Sequence, residues 1–88
     1  IEFNGAKRDK TLAERGLDFA RAAEVFEGIH LTAPDSRQDY TEDRFITMGH
    51  LDDRLVVLVW TPRDEVRRII SMRKANDREK AFYDHYVD

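Results

Sequence analysis

The sequence contains no cysteine, and with only 88 residues it has neither a disulfide framework nor a zinc-thiolate staple to hold it together. Its stability must come from packing and backbone hydrogen bonds. The missing thiols also fit a reducing compartment, so a cytoplasmic location is the expectation. No apolar run approaches the roughly 18 residues that a membrane span needs. The chain opens Ile1-Glu2-Phe3 in place of a basic and then apolar signal segment, and a start on Ile suggests that the native start lies elsewhere. Internal repeats and low-complexity stretches are absent as well. The length allows one compact domain over residues 1–88 and excludes a multidomain enzyme.

Positive charge is not in global excess either. The formal net charge is -3 although 38% of the residues are charged, so no overall basic field announces a nucleic-acid ligand. The distribution is uneven, however. Residues 18–43 hold Asp18, Glu24, Glu27, Asp35, Asp39, Glu42 and Asp43 against Arg21 and Arg37, whereas residues 63–74 hold Arg63, Arg67, Arg68, Arg73 and Lys74 against Asp64 and Glu65. The average conceals a dipolar surface.

Ile1 to Asn4 alternates like a short strand and ends at Asn4-Gly5. Ala6 to Arg15 has no proline or glycine and reads as a short helix that Gly16 stops in a left-handed cap. Asp18 is the expected N-cap of a second helix, whose apolar stripe is Phe19, Ala22, Ala23 and Phe26 and which ends near Gly28. Ile29 to Ala33 is an expected strand, and Pro34 to Asp43 a polar loop with nothing to hold it in a core. Arg44 to Gly49, Leu55 to Trp60 and Val66 to Arg73 read as three further strands, with the apolar Leu55–Trp60 run at the centre. Turns are expected at Leu51–Arg54 and Pro62–Asp64, and Asn76 or Asp77 caps a closing helix. The predicted class is α+β: a small antiparallel sheet packed against helices, in the order βααββββα.

Val66 to Lys74 places cations where a strand would alternate cleanly. Without a bulge, Val66, Arg68, Ile70 and Met72 share one face while Arg67, Ile69, Ser71 and Arg73 share the other; a bulge would shift that phase. A guanidinium is planar, permanently charged and forked to match phosphate oxygens, so Arg73 with Arg63 from the preceding turn is a candidate clamp on one phosphodiester. The alternative is that these arginines pair with the acidic residues of 35–43. His30, His50 and His85 are scattered without metal-ligand spacing, and turn chemistry accounts for His50-Leu51-Asp52-Asp53 as well as a metal does. Ser36 and Ser71 lack the surroundings of a hydrolase nucleophile. On the last helix Phe82, Tyr83 and Tyr86 lie close to Arg78 and Lys80, a pattern compatible with base stacking beside phosphate contacts, yet Phe82 and Tyr86 are expected to pin the helix to the sheet. Trp60 is expected in the core.

Taken together, Lys7, Gly16, Phe19 and Ala22, then Asp35, Glu42, Arg44 and Gly49, then Thr61, Arg63 and Arg68-Ile69-Ile70-Ser71-Met72-Arg73-Lys74-Ala75, then Arg78-Glu79 and Tyr83 resemble the BrnT family. The resemblance spans nearly the whole chain. It implies a ribonuclease toxin of a type II toxin-antitoxin system, with a RelE-like fold, held inactive by a BrnA antitoxin that carries a ribbon-helix-helix DNA-binding domain. Near the start the chain departs from the family pattern, with Phe3-Asn4 for Trp-Asp, Thr11 for asparagine and Glu14-Arg15 for Lys-His. Arg15 cannot serve as a base near neutrality, because a guanidinium stays protonated.

RNA cleavage without a metal requires a base for the 2′-hydroxyl, cations for the charged transition state and an acid for the leaving 5′-oxygen. On this reading Arg63 and Arg73 clamp the phosphate, and Lys7, Glu42 or Tyr83 transfers protons. Arg68, Lys74 and Arg78 contact the substrate, and no metal or cofactor is called for. The expected partners are a BrnA-like antitoxin, RNA, and operator DNA only through the toxin-antitoxin complex. Two rivals stand beside this reading: a non-enzymatic module that grips an acidic protein, and a degenerate toxin that keeps its antitoxin but has lost catalysis.

Overall fold

A computed structural model describes residues 1–37 and 39–87. Along the chain lie β1 (Glu2–Phe3), α1 (Gly5–Arg15), a 3-10 turn (Phe19–Arg21), α2 (Ala22–Glu27), β2 (His30–Pro34), β3 (Phe45–Leu51), β4 (Arg54–Arg63), β5 (Val66–Lys74) and α3 (Asp77–Val87). The architecture is α+β. Five strands form one sheet in the order β1-β5-β4-β3-β2. Three antiparallel pairings join β2 through β5, but β1 adds to β5 in parallel, so the sheet is mixed where the sequence suggested an antiparallel one. The difference is topological: the chain enters at one edge of the sheet and starts β2 at the other, a relation that local pattern does not encode.

Local chemistry explains the element boundaries. The Asn4 side chain accepts from the Lys7 amide at 3.0 Å to start α1, and Gly16, at φ 70°, ends it in the left-handed region open to a residue without Cβ. Asp18 accepts from the Ala20 amide and so caps the 3-10 turn. Asp52 and Asp53 both have positive φ, the geometry that lets a two-residue turn follow the strand twist between β3 and β4. Accordingly β3 and β4 run further than the sequence indicates. His50 belongs to β3, and Pro62 and Arg63 belong to β4.

Each sheet face has its own core. On one face Leu17, Phe19, Ala22 and Val25 pack on Leu51, Val56, Leu58, Ile69 and Met72. The close approach of α2 depends on Gly49, where an added Cβ would lie 2.7 Å from the Val25 side chain. Val25, absent from the expected stripe, is fully buried, while Phe26 is only half-buried. On the other face Leu55, Val57 and Ala75 pack against Tyr83 of α3. The roles expected on this helix are reversed: Tyr83 is the core residue, and Phe82 and Tyr86 are exposed. Trp60 is half-buried, packs against the first core and donates to Thr47 Oγ1 at 2.8 Å.

Candidate functional site

The register between β4 and β5 slips by one residue. Val59 faces Ser71 and Trp60 faces Ile69, which leaves Ile70 as the extra residue of a bulge. The bulge reverses the strand phase. Beyond it Arg73 lies opposite Val57 and Ser71 opposite Val59; before it Arg68 lies opposite Thr61 and Arg63 opposite Val66. Cross-strand partners share a face, so Arg63, Arg68, Ser71 and Arg73 all project on the α3 side of the sheet. Arg67 goes to the α2 side, where its guanidinium lies 4.0 Å from the Phe26 ring centroid and 5.3 Å from that of Trp60. Simple alternation had separated Arg68 from Arg73; the bulge unites them.

The proposed clamp of Arg63 with Arg73 does not form. Arg63 sits beside Val66 at one end of β5 and Arg73 near the other, so about 20 Å of strand separates their backbones at roughly 3.3 Å per residue. No single phosphodiester spans that interval. The two cations that converge are Arg63 and Arg68, whose Nη1 atoms lie 3.5 and 2.7 Å from the same Glu2 oxygen. Glu2 reaches them because β1 pairs with β5 at Arg68 and Ile69. Further along, Arg73 makes a two-pronged contact with Glu79, at 2.8 and 2.7 Å. Neither pairing uses the carboxylates of 35–43, as the sequence alternative had suggested.

Glu79 also accepts from the Asn76 amide at 2.9 Å while the Asn76 side chain accepts from the Glu79 amide at 2.8 Å. This reciprocal cap starts α3 and fixes the carboxylate that orients Arg73. Arg73 holds the Glu79 carboxyl below the usual range, and Glu79 in turn raises Arg73. The charge of Arg37 opposes that rise, which puts a further cation of the 35–44 segment within electrostatic reach of Arg73.

The 35–44 segment is not a free loop. The Asp35 amide donates to the Arg44 carbonyl at 2.8 Å, and the buried Asp35 carboxylate accepts from Arg37 at 2.8 and 2.7 Å and from the Tyr40 hydroxyl at 3.2 Å. Chiefly because of Arg37, the Asp35 carboxyl is held down to about 2. At the far end the Thr61 hydroxyl donates to the Asp43 carbonyl at 2.6 Å. Thr61 is the cross-strand neighbour of Arg68, so this bond ties Glu42, Asp43 and Arg44 to the strand beside that arginine. Glu42 is exposed, with a carboxylate oxygen 3.3 Å from Arg44.

Lys7 is exposed in the first turn of α1, close in sequence to the β1 edge, and has no carboxylate partner among the described residues. Lys74 and Arg78 are exposed and likewise lack a carboxylate partner there. Tyr83 must be removed from the proton-transfer candidates. It is 5% exposed, its hydroxyl donates to the Ile29 carbonyl at 2.7 Å, and burial pushes its ionisation up. A hydroxyl so committed anchors α3 to the segment before β2. Two of the histidines are also accounted for locally: His30 Nδ1 contacts the Gly28 carbonyl, and His50 meets the Tyr83 ring edge-on. No group of three or more His, Cys, Asp or Glu side chains is gathered to hold a metal ion among the described residues.

Glu2 and Arg37 are not among the residues expected at the site, and Arg15 is expected only as a departure from the family pattern. The Arg15 Nη1 donates to the Met72 carbonyl at 2.8 Å, on the stretch of β5 that β1 does not cover. Arg37 had a sequence signal in the Asp35-x-Arg37 spacing of a side-chain-closed turn, but the long-range position of Glu2 and Arg15 had none.

Fold and site define a small α+β protein with a row of guanidinium groups along one sheet face and a carboxylate-bearing segment tied beside it, an arrangement suited to anionic phosphate. The chain belongs to the BrnT family: that family's profile, described as "Ribonuclease toxin, BrnT, of type II toxin-antitoxin system", matches residues 3–79. A toxin of this type has an antitoxin as its partner. Tyr83 lies outside the matched span. A search of curated proteins finds no match. Among the described residues no helix is long and apolar enough to cross a membrane.

Proposed function

We propose that this chain is an active, metal-independent endoribonuclease of RelE-like fold, working in the cytoplasm and neutralised by a BrnA-like ribbon-helix-helix antitoxin. The observation that supports it best is the bulge at Ile70, which aligns Arg63, Arg68 and Arg73 on the face beside the Glu42 segment. Arg68, with Arg63, holds the non-bridging oxygens of the scissile phosphate where Glu2 now lies, and Arg73 holds a neighbouring phosphate where Glu79 now lies. Arg78 adds an exposed cation near this path, and Lys74, opposite Val56 and so directed to the α2 side, adds one beyond the open edge of β5.

In the reaction the 2′-hydroxyl oxygen attacks phosphorus and its proton passes to a base, for which Glu42 is the candidate. The bond from phosphorus to the 5′-oxygen breaks, and that oxygen takes a proton from an acid, for which Lys7 is the candidate. The products are a 2′,3′-cyclic phosphate and a 5′-hydroxyl. The arginines stabilise charge on the phosphoryl oxygens at the transition state, where oriented cations act most strongly. The antitoxin covers this face, and operator DNA is read by the antitoxin's ribbon-helix-helix within the complex.

A second reading, a degenerate toxin that only binds its antitoxin, is favoured by one observation: Arg63, Arg68 and Arg73 are all engaged by carboxylates of the chain itself. Induction in a bacterial host separates the two. The nuclease reading predicts growth arrest, relieved by the antitoxin and abolished by Arg73→Ala. Harmless expression with antitoxin binding retained supports the degenerate toxin.

A further inference from the structure

A second basic feature lies at the outer edge of β5. Because β1 covers only Arg68 and Ile69, the strand beyond the bulge has no neighbouring strand on that side among the described residues. Arg15, from the last turn of α1, reaches this edge and fixes one guanidinium nitrogen on the Met72 carbonyl. Among the described residues its other donors have no hydrogen-bond acceptor and it has no carboxylate partner. Glu14, Arg15, Arg73 and Lys74 together line an open depression of about 430 Å³. Arg73 is already paired with Glu79, so Arg15 and Lys74 are the cations left beside the carboxylate of Glu14, a shallow site whose positive excess an anion would offset.

We propose that this depression is a second phosphate subsite, held by Arg15, Lys74 and Arg73, which takes the backbone of single-stranded RNA flanking the cleaved linkage. The inference rests on the nuclease reading for its substrate and adds the course of the strand. From Arg63 and Arg68 the RNA runs along β5 past Arg73 and turns over the open edge onto Arg15 and Lys74. Arg15 is suited to this because its carbonyl bond pre-positions the fork, so less side-chain freedom is lost on binding. A role confined to guarding an exposed strand edge would need the hydrogen bond but not the charge.

That difference provides the test. Arg15→Gln keeps a donor for the Met72 carbonyl and removes the charge; Lys74→Gln removes a charge with no backbone bond at stake. Binding of a short 2′-O-methyl single-stranded RNA, which cannot be cleaved, is measured by fluorescence anisotropy over a range of salt. Each lost phosphate contact should make the slope of log K against log salt less steep by about 0.7. Arg67→Gln, at the opposite end of β5 and packed over Phe26 and Trp60, serves as the charge-matched control and should leave the slope unchanged. If both Arg15→Gln and Lys74→Gln keep the wild-type slope while the protein still cleaves RNA, the subsite is wrong and the nuclease reading stands. If the slopes change as expected but wild-type protein never cleaves, the subsite stands and the nuclease reading falls. Failure of wild-type protein to bind the oligonucleotide overturns both.

Discussion

Arg67 and Arg68 are chemically identical neighbours, and the account assigns them opposite consequences. The Arg67 guanidinium packs over Phe26 at 4.0 Å and Trp60 at 5.3 Å, on the side of the sheet away from the arginine row. An exposed cation–π contact stabilises by about 0.5–1 kcal/mol, and two shared rings bring the loss in Arg67→Ala to about 1 kcal/mol. In a domain of this size that lowers Tm by about 4–8 °C. Its cleavage rate at a temperature well below the melt should stay at the wild-type level.

Arg68 instead pairs with Glu2 at 2.7 Å, a partly exposed contact whose loss costs about 0.2–1 kcal/mol of stability. In the proposed mechanism it is an oriented donor to the charged transition state, a role worth about 2.7–4 kcal/mol, so Arg68→Ala should cut RNA about 10²–10³-fold more slowly. Thermal melts and single-turnover cleavage of a labelled RNA on the same two preparations read both quantities. A folded Arg68→Ala that cleaves at the wild-type rate, or an Arg67→Ala that is equally impaired, would refute the face assignment that the bulge imposes.

Two further outcomes follow from the same contacts. Tyr83→Phe should lose about 1 kcal/mol with the bond to the Ile29 carbonyl and cleave normally, as urea titration and a cleavage assay will show; a folded but inactive variant would return Tyr83 to the mechanism. The Asp35 carboxyl, lowered to about 2 by Arg37, stabilises the folded state fully above the ordinary carboxylate value near ~3.9 and loses that contribution as pH falls from there toward about 2. In Asp35→Asn the unfolding midpoint should vary less over that interval, and an unchanged acid limb would argue against the buried pairing.

Much of the fold is legible wherever the determinant is local. Asn4, Gly16 and Asp18 mark their caps because side-chain and left-handed capping act within a few residues. The Leu55–Trp60 run lies within β4, the middle strand of the sheet. The phase of β5 is not legible, since nothing in Arg68-Ile69-Ile70-Ser71 says which residue is extra; only pairing with β4 decides that Ile70 is. The same limit applies to α3, whose rotation about its axis is set by the bond between Tyr83 and the Ile29 carbonyl, made across 54 residues of chain. The site divides in the same way. The arginines stand out by composition, but their partners Glu2 and Glu79 come from opposite ends of the sequence. Their arrangement depends on β1 joining the sheet in parallel and on the Asn76–Glu79 cap.

The most direct test is to incubate single-stranded RNA with purified protein in the presence of a chelator and map the new ends, for wild type and for Arg68→Ala/Arg73→Ala. The account predicts 2′,3′-cyclic phosphate and 5′-hydroxyl ends from the wild type and almost none from the double variant. Undiminished cleavage by the folded double variant, or 5′-phosphate ends from the wild type, would contradict it.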